Sequence, residues 1–234
     1  MLESINLTKK YGSKTAIDRV TLKLEPGHIY AMLGPNGSGK TTWMKTAAGL
    51  IRPTSGSMLF RGIPVGIDSR RHIAYMSTEP YFYSWMTVRD AGRYYSDFFT
   101  DFSSARYDEL LKKMDLDHDL KITALSTGMM AKMKIAVTLS RDAEVWMLDE
   151  PFNGIDLLTR DMIRDTILES ALPEKVLLLS SHLVEEMEAI ADTAVFMKAG
   201  VLAEVRELDE MRLQDGISMA DRYRALYACT EVNG

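Results

Sequence analysis

The sequence predicts an α/β fold in which a core with a mainly parallel sheet carries an N-terminal antiparallel β subdomain and an inserted α-helical subdomain. Continuous apolar runs such as Ile29–Leu33 alternate with helical stretches, which is typical of strands buried on both faces of a parallel sheet. Near the N-terminus apolar and polar residues alternate one by one, a period that favours antiparallel strands with one wet face. Between residues 84 and 140 helix follows helix without a buried strand, which indicates a helical insertion.

The individual elements follow from the same periodicities. Alternation within residues 2–7 and again within 17–24 predicts two antiparallel strands, and Pro26-Gly27 ends the second. Buried strands are predicted at 29–33, 73–76, 145–148, 176–179 and 194–197, with a further strand at 201–205. Helices are predicted at 41–48, 88–99, 107–114, 127–141 and 157–169, and short helices from Glu207 onward. We predict one domain over 1–234: a core (1–83 and 141–205), a helical subdomain (84–140) and a short C-terminal extension (206–234).

Composition narrows the function classes. The 234 residues, 46% hydrophobic and 26% charged, fit one large domain or two closely joined ones. A net charge of −5 argues against a broad cationic surface, so we expect no nucleic-acid partner. Apolar runs are interrupted well before the roughly 18 residues that cross a bilayer, and no secretory signal is expected. The single cysteine, Cys229, cannot form a disulfide within the chain, which favours a reducing compartment.

A glycine-rich loop follows the predicted strand Ile29–Leu33. Residues 34–41, Gly-Pro-Asn-Gly-Ser-Gly-Lys-Thr, match G-x-x-x-x-G-K-[ST] and open a helix. The glycines let successive N–H groups point at phosphate oxygens, and the helix N-terminus adds its positive dipole end. Lys40 is expected to reach the β- and γ-phosphates, and the Thr41 hydroxyl to bind Mg²⁺. The motif predicts a P-loop NTPase core that binds a nucleoside triphosphate.

Two carboxylates end another buried strand. Asp149 and Glu150 follow four apolar residues, and in open α/β sheets ligands bind at the carboxyl ends of the strands. Asp149 is expected to hold Mg²⁺, directly or through water. Glu150 is expected to polarise the water that attacks the γ-phosphate.

In this order the motifs resemble those of the ATP-binding cassette (ABC) ATPases, the nucleotide-binding subunits of transporters, over about residues 1–205. Residues 125–129, Leu-Ser-Thr-Gly-Met, resemble the family's LSGGQ signature, and residues 151–156 its D-loop. Ser180-Ser181-His182 resembles the loop of the switch histidine, which implies catalytic support beside Glu150. Tyr11 matches the aromatic that stacks on adenine in this family.

The resemblance implies a head-to-tail dimer around two Mg·ATP, in which each signature closes over the ATP held by the other subunit. Ser126 can cap the following helix, and the amides near Gly128 make an anion site, which agrees with that role. It further implies a separate integral membrane permease, a cytoplasmic location on the inner face of the cell membrane, and, by analogy with exporter-type cassettes, transport outward. The transported substrate and the choice between homodimer and heterodimer stay open.

The sequence departs from the family pattern at three places. Thr78 stands where the family has a glutamine that touches Mg²⁺, and Glu79 follows it, so either residue is a candidate for that contact. Met129 replaces the glutamine of the signature. Residues 81–86, Tyr-Phe-Tyr-Ser-Trp-Met, are unusually aromatic where the family meets its membrane subunit; an aromatic groove for a permease helix and internal packing of the insert are both open.

The sequence thus predicts one site with three sets of residues. Glu150, His182 and Lys40 are the predicted catalytic residues, and Thr41, Asp149, Thr78 and Glu79 the predicted metal ligands. The predicted ATP-binding residues are Tyr11, Gly34, Pro35, Asn36, Gly37, Ser38, Gly39, Lys40, Thr41, Thr42, Ser126 and Gly128. Two alternatives remain: a cassette ATPase that serves no transporter, such as a translation or DNA-repair factor, and a P-loop kinase for a small molecule. The kinase would leave the signature and residues 153–156 without a role.

Overall fold

The computed structural model describes residues 1–228, so Cys229 lies outside the described residues. Within that range, no helix combines the length and the apolar character that a bilayer crossing requires.

A six-stranded sheet forms the centre of the molecule. Its strand order is β10-β9-β3-β8-β7-β6, in which the five strands from β9 to β6 are parallel and β10 pairs antiparallel with β9. The strands are β3 (Ile29–Leu33), β6 (Ile73–Met76), β7 (Val145–Asp149), β8 (Val176–Ser181), β9 (Thr193–Lys198) and β10 (Val201–Glu207). The predicted parallel core sheet is confirmed: the five predicted buried strands and the further strand predicted at 201–205 lie in this sheet, with ends shifted by at most two residues.

A smaller antiparallel sheet of order β2-β1-β4-β5 supports one face of the core. It consists of β1 (Leu2–Tyr11), β2 (Lys14–Leu24), β4 (Ser55–Phe60) and β5 (Ile63–Pro64). Its inner side chains pack with Trp43 and Met44 of the first helix and with one face of the central sheet. The sequence predicted β1 and β2 but not β4 and β5, because β4 begins Ser-Gly-Ser and shows apolar character only in its second half.

The helices confirm the predicted pattern, with an all-helical stretch between β6 and β7. They are α1 (Lys40–Ala47), α2 (Val88–Phe98), α3 (Ser104–Lys113), α4 (Thr127–Leu139), α5 (Leu157–Ser170), α6 (Val184–Glu188), α7 (Leu208–Glu210) and α8 (Met219–Tyr227). The bounds 84–140 for the helical subdomain stay a prediction.

Three helical predictions need correction. Helix α3 begins three residues before the predicted start, because the Ser103 hydroxyl caps it by accepting the Arg106 N–H. Helix α4 ends at Leu139 and not at residue 141, because the Arg141 guanidinium turns inward to main-chain carbonyls before β7. The short helix α6, which follows the loop of His182, was not predicted, since one and a half turns carry too little periodicity.

The C-terminal extension is docked on the core. The Tyr227 hydroxyl of α8 donates to the carbonyl of Met197 at 2.8 Å and approaches that of Leu33 at 3.4 Å. Lys198 Nζ donates to the carbonyl oxygen of Leu226, near the end of the same helix, at 2.6 Å. Helix α8 therefore packs beside the point where β3 ends and the glycine-rich loop begins.

Candidate functional site

The glycine-rich loop between β3 and α1 is fitted closely against its surroundings. A Cβ on Gly34 would lie 2.3 Å from the carbonyl oxygen of Met197, and one on Gly39, whose φ is +106°, would lie 2.7 Å from that of Ala16. Both contacts are shorter than any carbon side chain tolerates, so these positions require glycine. The glycines fix the path of the loop so that it wraps the N-terminus of α1.

The loop offers unused donors. Ser38 Oγ is buried and, among the described residues, is one of the side-chain oxygens without a hydrogen-bond partner. The first N–H groups of a helix also have no partner within the helix, and α1 begins at Lys40. A buried hydroxyl beside a positive helix end is the environment that a phosphate group satisfies.

Lys40 brings a buried positive charge to the same place. Its side chain is 6% exposed, and its Nζ donates to the carbonyls of Gly34 at 2.6 Å and Pro35 at 3.4 Å. Nζ also lies 3.5 Å from Glu150 Oε1. Burial lowers the pKa of Lys40, and the negative charge of Glu150 opposes that shift. A buried ammonium next to an open cleft is well placed to receive an anionic ligand.

Asp149 ends β7 fully buried, and three hydroxyl groups surround its carboxylate. Thr41 Oγ1 lies 3.2 Å from Oδ1, Ser180 Oγ lies 2.5 Å from the same oxygen, and Tyr75 Oη lies 3.0 Å from Oδ2. Burial raises the pKa of Tyr75 well above its ordinary value, so this phenol remains a donor. The carboxylate and Thr41 are therefore held side by side at the start of α1.

Sequence reasoning missed the two partners on neighbouring strands. Ser180 is the residue that pairs with Asp149 in the register of β7 and β8, and Tyr75 lies on β6 at the other edge of β7. A signal existed only for Ser180, which ends an apolar run of the same length as that before Asp149.

Glu150 adopts a left-handed backbone conformation, with φ of +51°. Its N–H donates to Ser180 O at 3.1 Å, which ties the turn to the end of β8. Its carboxylate lies between two partners: Oε2 is 2.9 Å from His182 Nδ1, and Oε1 faces Lys40. A non-glycine residue with positive φ stores strain of about 1–3 kcal/mol, which marks the position as one that the surrounding structure enforces.

A cleft of about 460 Å³ connects these residues. Tyr11, which is half exposed, lines it together with residues of the loop and with Glu150 and His182. Its lining contains the predicted Tyr11, Asn36, Gly37, Ser38, Gly39, Lys40, Thr41, Thr42, Thr78, Glu150 and His182, together with Lys14, Ala16 and Asn153. Segments far apart in the chain thus meet around one cleft.

Two predicted metal-site residues differ in position. Thr78 lines the cleft, whereas Glu79 does not: its Oε1 accepts a hydrogen bond from Lys45 Nζ at 2.7 Å on the surface. This ion pair lowers the pKa of Glu79. Of these two residues, Thr78 and not Glu79 therefore lines the cleft of the phosphate loop.

The signature residues lie outside that cleft. Ser126 caps α4 by accepting the Met129 N–H at 3.2 Å and remains exposed. It lines a neighbouring cleft of about 400 Å³ together with Thr78, Glu150 and Asn153, and Gly128 follows in the first turn of α4. One chain does not bring its own signature to its own phosphate loop.

The donors present fit Mg²⁺. Within residues 1–228 there is no group of three His, Cys, Asp or Glu that could hold a metal on its own. The Thr41 hydroxyl beside the Asp149 carboxylate supplies the hard oxygen ligands that Mg²⁺ shares with substrate phosphates. The residues thus match a metal that arrives with a nucleotide.

Comparison with known proteins agrees with a nucleotide-binding site at this cleft. Residues 17–153 match the family model described as "ABC transporter". The lantibiotic transport ATP-binding protein SrtF of Streptococcus pyogenes is 32% identical over 211 residues, which cover 89% of this chain and 92% of that protein. The bacitracin transport ATP-binding protein BcrA of Bacillus licheniformis is 30% identical over 218 residues, 91% of this chain and 71% of that protein.

Solved structures share the fold. The structure of an ATP-binding subunit of an ABC transporter superposes with a TM-score of 0.85 at 27% identity and covers 97% of this chain and 99% of its own. A dimeric bacterial ABC transporter cassette gives a TM-score of 0.80 at 21% identity, over 89% of this chain and 99% of its own, which shows the fold alone. The chain combines a phosphate loop, an Asp-Glu pair and a histidine at the ends of adjacent parallel strands, and its relatives match it over most of its length. These observations leave one assignment. The chain belongs to the ABC transporter family, as an ATP-hydrolysing, ATP-binding subunit.

Proposed function

We propose that two copies of this cassette, or this chain and a related one, close around two Mg·ATP and drive a separate membrane permease. The observation that carries the proposal is the cleft in which the phosphate loop, Glu150 and His182 meet, whereas Ser126 does not line that cleft but a neighbouring one. That arrangement provides half of each ATP site, and a second cassette completes it. It favours neither small-molecule phosphorylation nor a role without a transporter.

Within one half-site, the chain's own residues divide the work. The loop amides and Ser38 Oγ bind the phosphates, and Lys40 exchanges the carbonyls of Gly34 and Pro35 for the β- and γ-phosphate oxygens. Thr41 and Asp149 would hold Mg²⁺, which when bound neutralises charge on those phosphates. Tyr11 stacks on the adenine at the mouth of the cleft.

Glu150 and His182 act on the attacking water. When Lys40 turns to the phosphates, Glu150 loses one of its two contacts and its Oε1 becomes free to accept a hydrogen bond from water. The water donates its proton toward that carboxylate as its oxygen attacks the γ-phosphorus, and the bond to the β-phosphate oxygen breaks. His182, 2.9 Å from the other carboxylate oxygen, holds Glu150 in that orientation.

The second copy supplies the signature. Ser126 and the amides near Gly128 lie at the N-terminus of α4, where an anion is stabilised by the helix dipole. Since the family's solved cassettes include dimers, we propose a head-to-tail arrangement in which this end covers the γ-phosphate of the ATP in the other cassette. ATP then stabilises the closed dimer, and hydrolysis removes that contribution.

We propose an export role at the inner face of the cell membrane. The support is that SrtF and BcrA carry lantibiotic and bacitracin transport in their names, and that a 29% identical relative from Cupriavidus metallidurans is named Nod factor export ATP-binding protein I. The permease would be a separate integral membrane protein, located so that this chain attaches to it peripherally on the cytoplasmic side.

Exposed aromatic residues mark the surface that we propose for the permease. Tyr83 and Trp85 stack with ring centroids 5.9 Å apart, and Tyr94 contacts Phe98 at 4.7 Å. Trp85 is 67% exposed, so internal packing does not account for this group, although Tyr81 and Phe82 of the same run are turned inward. Exposed aromatic side chains are frequent anchors in protein interfaces.

We predict that Y83A/W85A abolishes recovery of the cassette with the membrane fraction but leaves ATP binding within about twofold. The reason is that truncating an anchor residue at the centre of an interface costs about 2 kcal/mol or more of binding free energy. The measurement is membrane co-sedimentation in cells that express the permease, with ATP binding assayed on purified protein. I63A/I67A, which removes two other exposed apolar side chains, is the control and should still co-sediment. Normal membrane recovery of Y83A/W85A would refute the assigned surface.

A further inference from the structure

Lys134 is a buried lysine in the middle of α4. It is 7% exposed, and its Nζ donates to the carbonyl oxygens of Ser77, Thr78 and Glu79 at 2.9, 3.1 and 2.9 Å. An ammonium has three protons, and here three consecutive peptide groups take them. The segment 77–79 is therefore curled around the end of one side chain.

This arrangement is not what packing alone would select. Lysine is almost never buried unless it is paired, and burial lowers the pKa of Lys134, so its charge is held there at a cost. Charge-assisted hydrogen bonds to three carbonyls offset that cost. An apolar side chain of similar length would leave the carbonyls converging on a point without a donor.

The segment is also attached on its other side, but more weakly. Glu79 pairs with Lys45 of α1, the helix that starts at the phosphate loop. The Glu79 side chain is 69% exposed, and ion pairs in water contribute little. Lys134 is therefore the main tie between the segment and the rest of the molecule.

The segment and α4 each carry a part of the ATP site. Thr78, in the middle of the segment, lines the cleft over the phosphate loop. Ser126, Met130 and Lys134 are spaced by four residues and line the neighbouring cleft together with Thr78 and Glu150. Lys134 thus connects α4 to the main chain of Thr78 by a hydrogen bond.

We infer that Lys134 is a positioning residue, which holds the segment 77–79 so that Thr78 faces the ATP cleft and which couples that residue to the helix of the signature. The inference rests on the proposed ATP site, since it assigns a use to Thr78 within it. Lys134 itself does not line the cleft over the phosphate loop; it acts through the main chain of the segment.

The test compares Lys134→Met with a matched control, Lys132→Met, which removes a lysine of the same helix that donates no hydrogen bond to the segment in the described structure. Amide hydrogen exchange of peptides covering residues 77–79 reports the tether directly and does not depend on hydrolysis. We expect exchange to rise at least about tenfold in Lys134→Met, and by less than about twofold in the control.

Steady-state kinetics test the coupling. We expect kcat of Lys134→Met to fall at least about tenfold while KM for ATP stays within about twofold, because the phosphate loop is untouched. In a Thr78→Ala background the same change should cost less than about twofold further, since its effect passes through Thr78. Lys134→Arg, which keeps the charge and the donors, should recover at least about a third of the activity.

Unchanged exchange in Lys134→Met, or effects of Lys134→Met and Thr78→Ala that add in full, would overturn the inference. If Lys134→Met does not fold, Lys134→Gln replaces it and faces the same two criteria. A wild-type chain that releases no phosphate from Mg·ATP would contradict the proposed function instead, and the exchange result separates the two failures.

Discussion

At the scale of single residues, Thr78 stands where the motif pattern that the chain resembles has a glutamine. It lines the cleft over the phosphate loop, and Glu79 is paired with Lys45. A threonine side chain is shorter by two bonds than that of glutamine, so its oxygen reaches less far toward the metal that we propose Thr41 and Asp149 hold. The departure therefore bears on metal use more than on binding of the nucleotide.

We predict that Thr78→Gln lowers the Mg²⁺ concentration for half-maximal ATP hydrolysis by about threefold or more. The reason is that changing a polar group next to a metal site typically changes the metal affinity by about 10–100-fold. The measurement is phosphate release over a Mg²⁺ titration at fixed ATP. Thr78→Ser, which keeps a hydroxyl, serves as the control. An unchanged Mg²⁺ requirement and rate in Thr78→Gln would show that the position does not sense the metal.

Residues with a fixed spacing in the sequence were the ones that could be predicted. Lys40 and Thr41 follow from the loop motif, and Asp149 follows from the end of a buried strand, so local order was enough. Tyr75 and Lys134 could not be found in this way. Their contacts depend on strand register and on how α4 packs against the segment after β6, which no local pattern encodes.

At the scale of elements, one arginine joins the helical insert to the core. Arg141 is 3% exposed, forms an ion pair with Asp101, and donates to the carbonyls of Ile73 and Arg71 at 3.1 and 2.9 Å. Its guanidinium also lies 3.9 Å from the centre of the Phe99 ring. These contacts connect the end of α4 and the end of α2 to the start of β6.

We predict that Arg141→Met lowers the free energy of unfolding by about 3–5 kcal/mol, because removal of one partner leaves buried carbonyls and Asp101 without a donor. The measurement is the midpoint and slope of urea unfolding followed by circular dichroism. Arg164→Met, which removes an arginine in an exposed ion pair on α5, should cost less than about 1 kcal/mol. Equal effects of the two changes would contradict the role assigned to Arg141.

Elements with a strong period were predicted well and weak ones were not. The five parallel strands are mostly continuous apolar runs, and α2 shows a clear helical period. The strands β4 and β5 carry glycine, serine and proline, and are strands because β1 pairs with β4. Tertiary pairing, and not local propensity, determines them.

At the scale of the whole molecule, several buried tyrosines make stability depend on alkaline pH. Burial raises the pKa of Tyr95 to about 12, and it raises the pKa values of Tyr107 and Tyr75 further. An acid whose pKa is raised on folding contributes stability that is complete below its unfolded value near 10 and is lost as pH rises above it. The folded chain thus resists ionisation of these phenols.

We predict that unfolding and the ionisation of these buried tyrosines coincide in an alkaline titration, with stability falling between pH 10 and pH 12. Tyrosinate absorbance and circular dichroism, recorded on the same samples, measure the two events. Complete ionisation of all tyrosines in a chain that remains folded would contradict the assigned burial.

The arrangement of the two half-sites is the property that only the whole fold reveals. The sequence indicated which motifs belong to ATP chemistry, but the distance between Ser126 and the cleft of its own chain depends on the packing of the insert. Because Ser126 does not line the cleft of its own phosphate loop, one chain supplies only part of the ATP site that we propose. A second cassette is therefore part of the proposed site.

The most direct test is the mass of Glu150→Gln in solution with saturating Mg·ATP. This change removes the carboxylate that we propose polarises water but keeps the side chain's shape, so ATP should bind without being hydrolysed and hold two chains together. Light scattering is expected to give twice the 26.4 kDa of one chain, and the chain carrying both Glu150→Gln and Lys40→Ala is expected to stay at 26.4 kDa. Glu150→Gln that binds Mg·ATP and still measures 26.4 kDa would contradict the account.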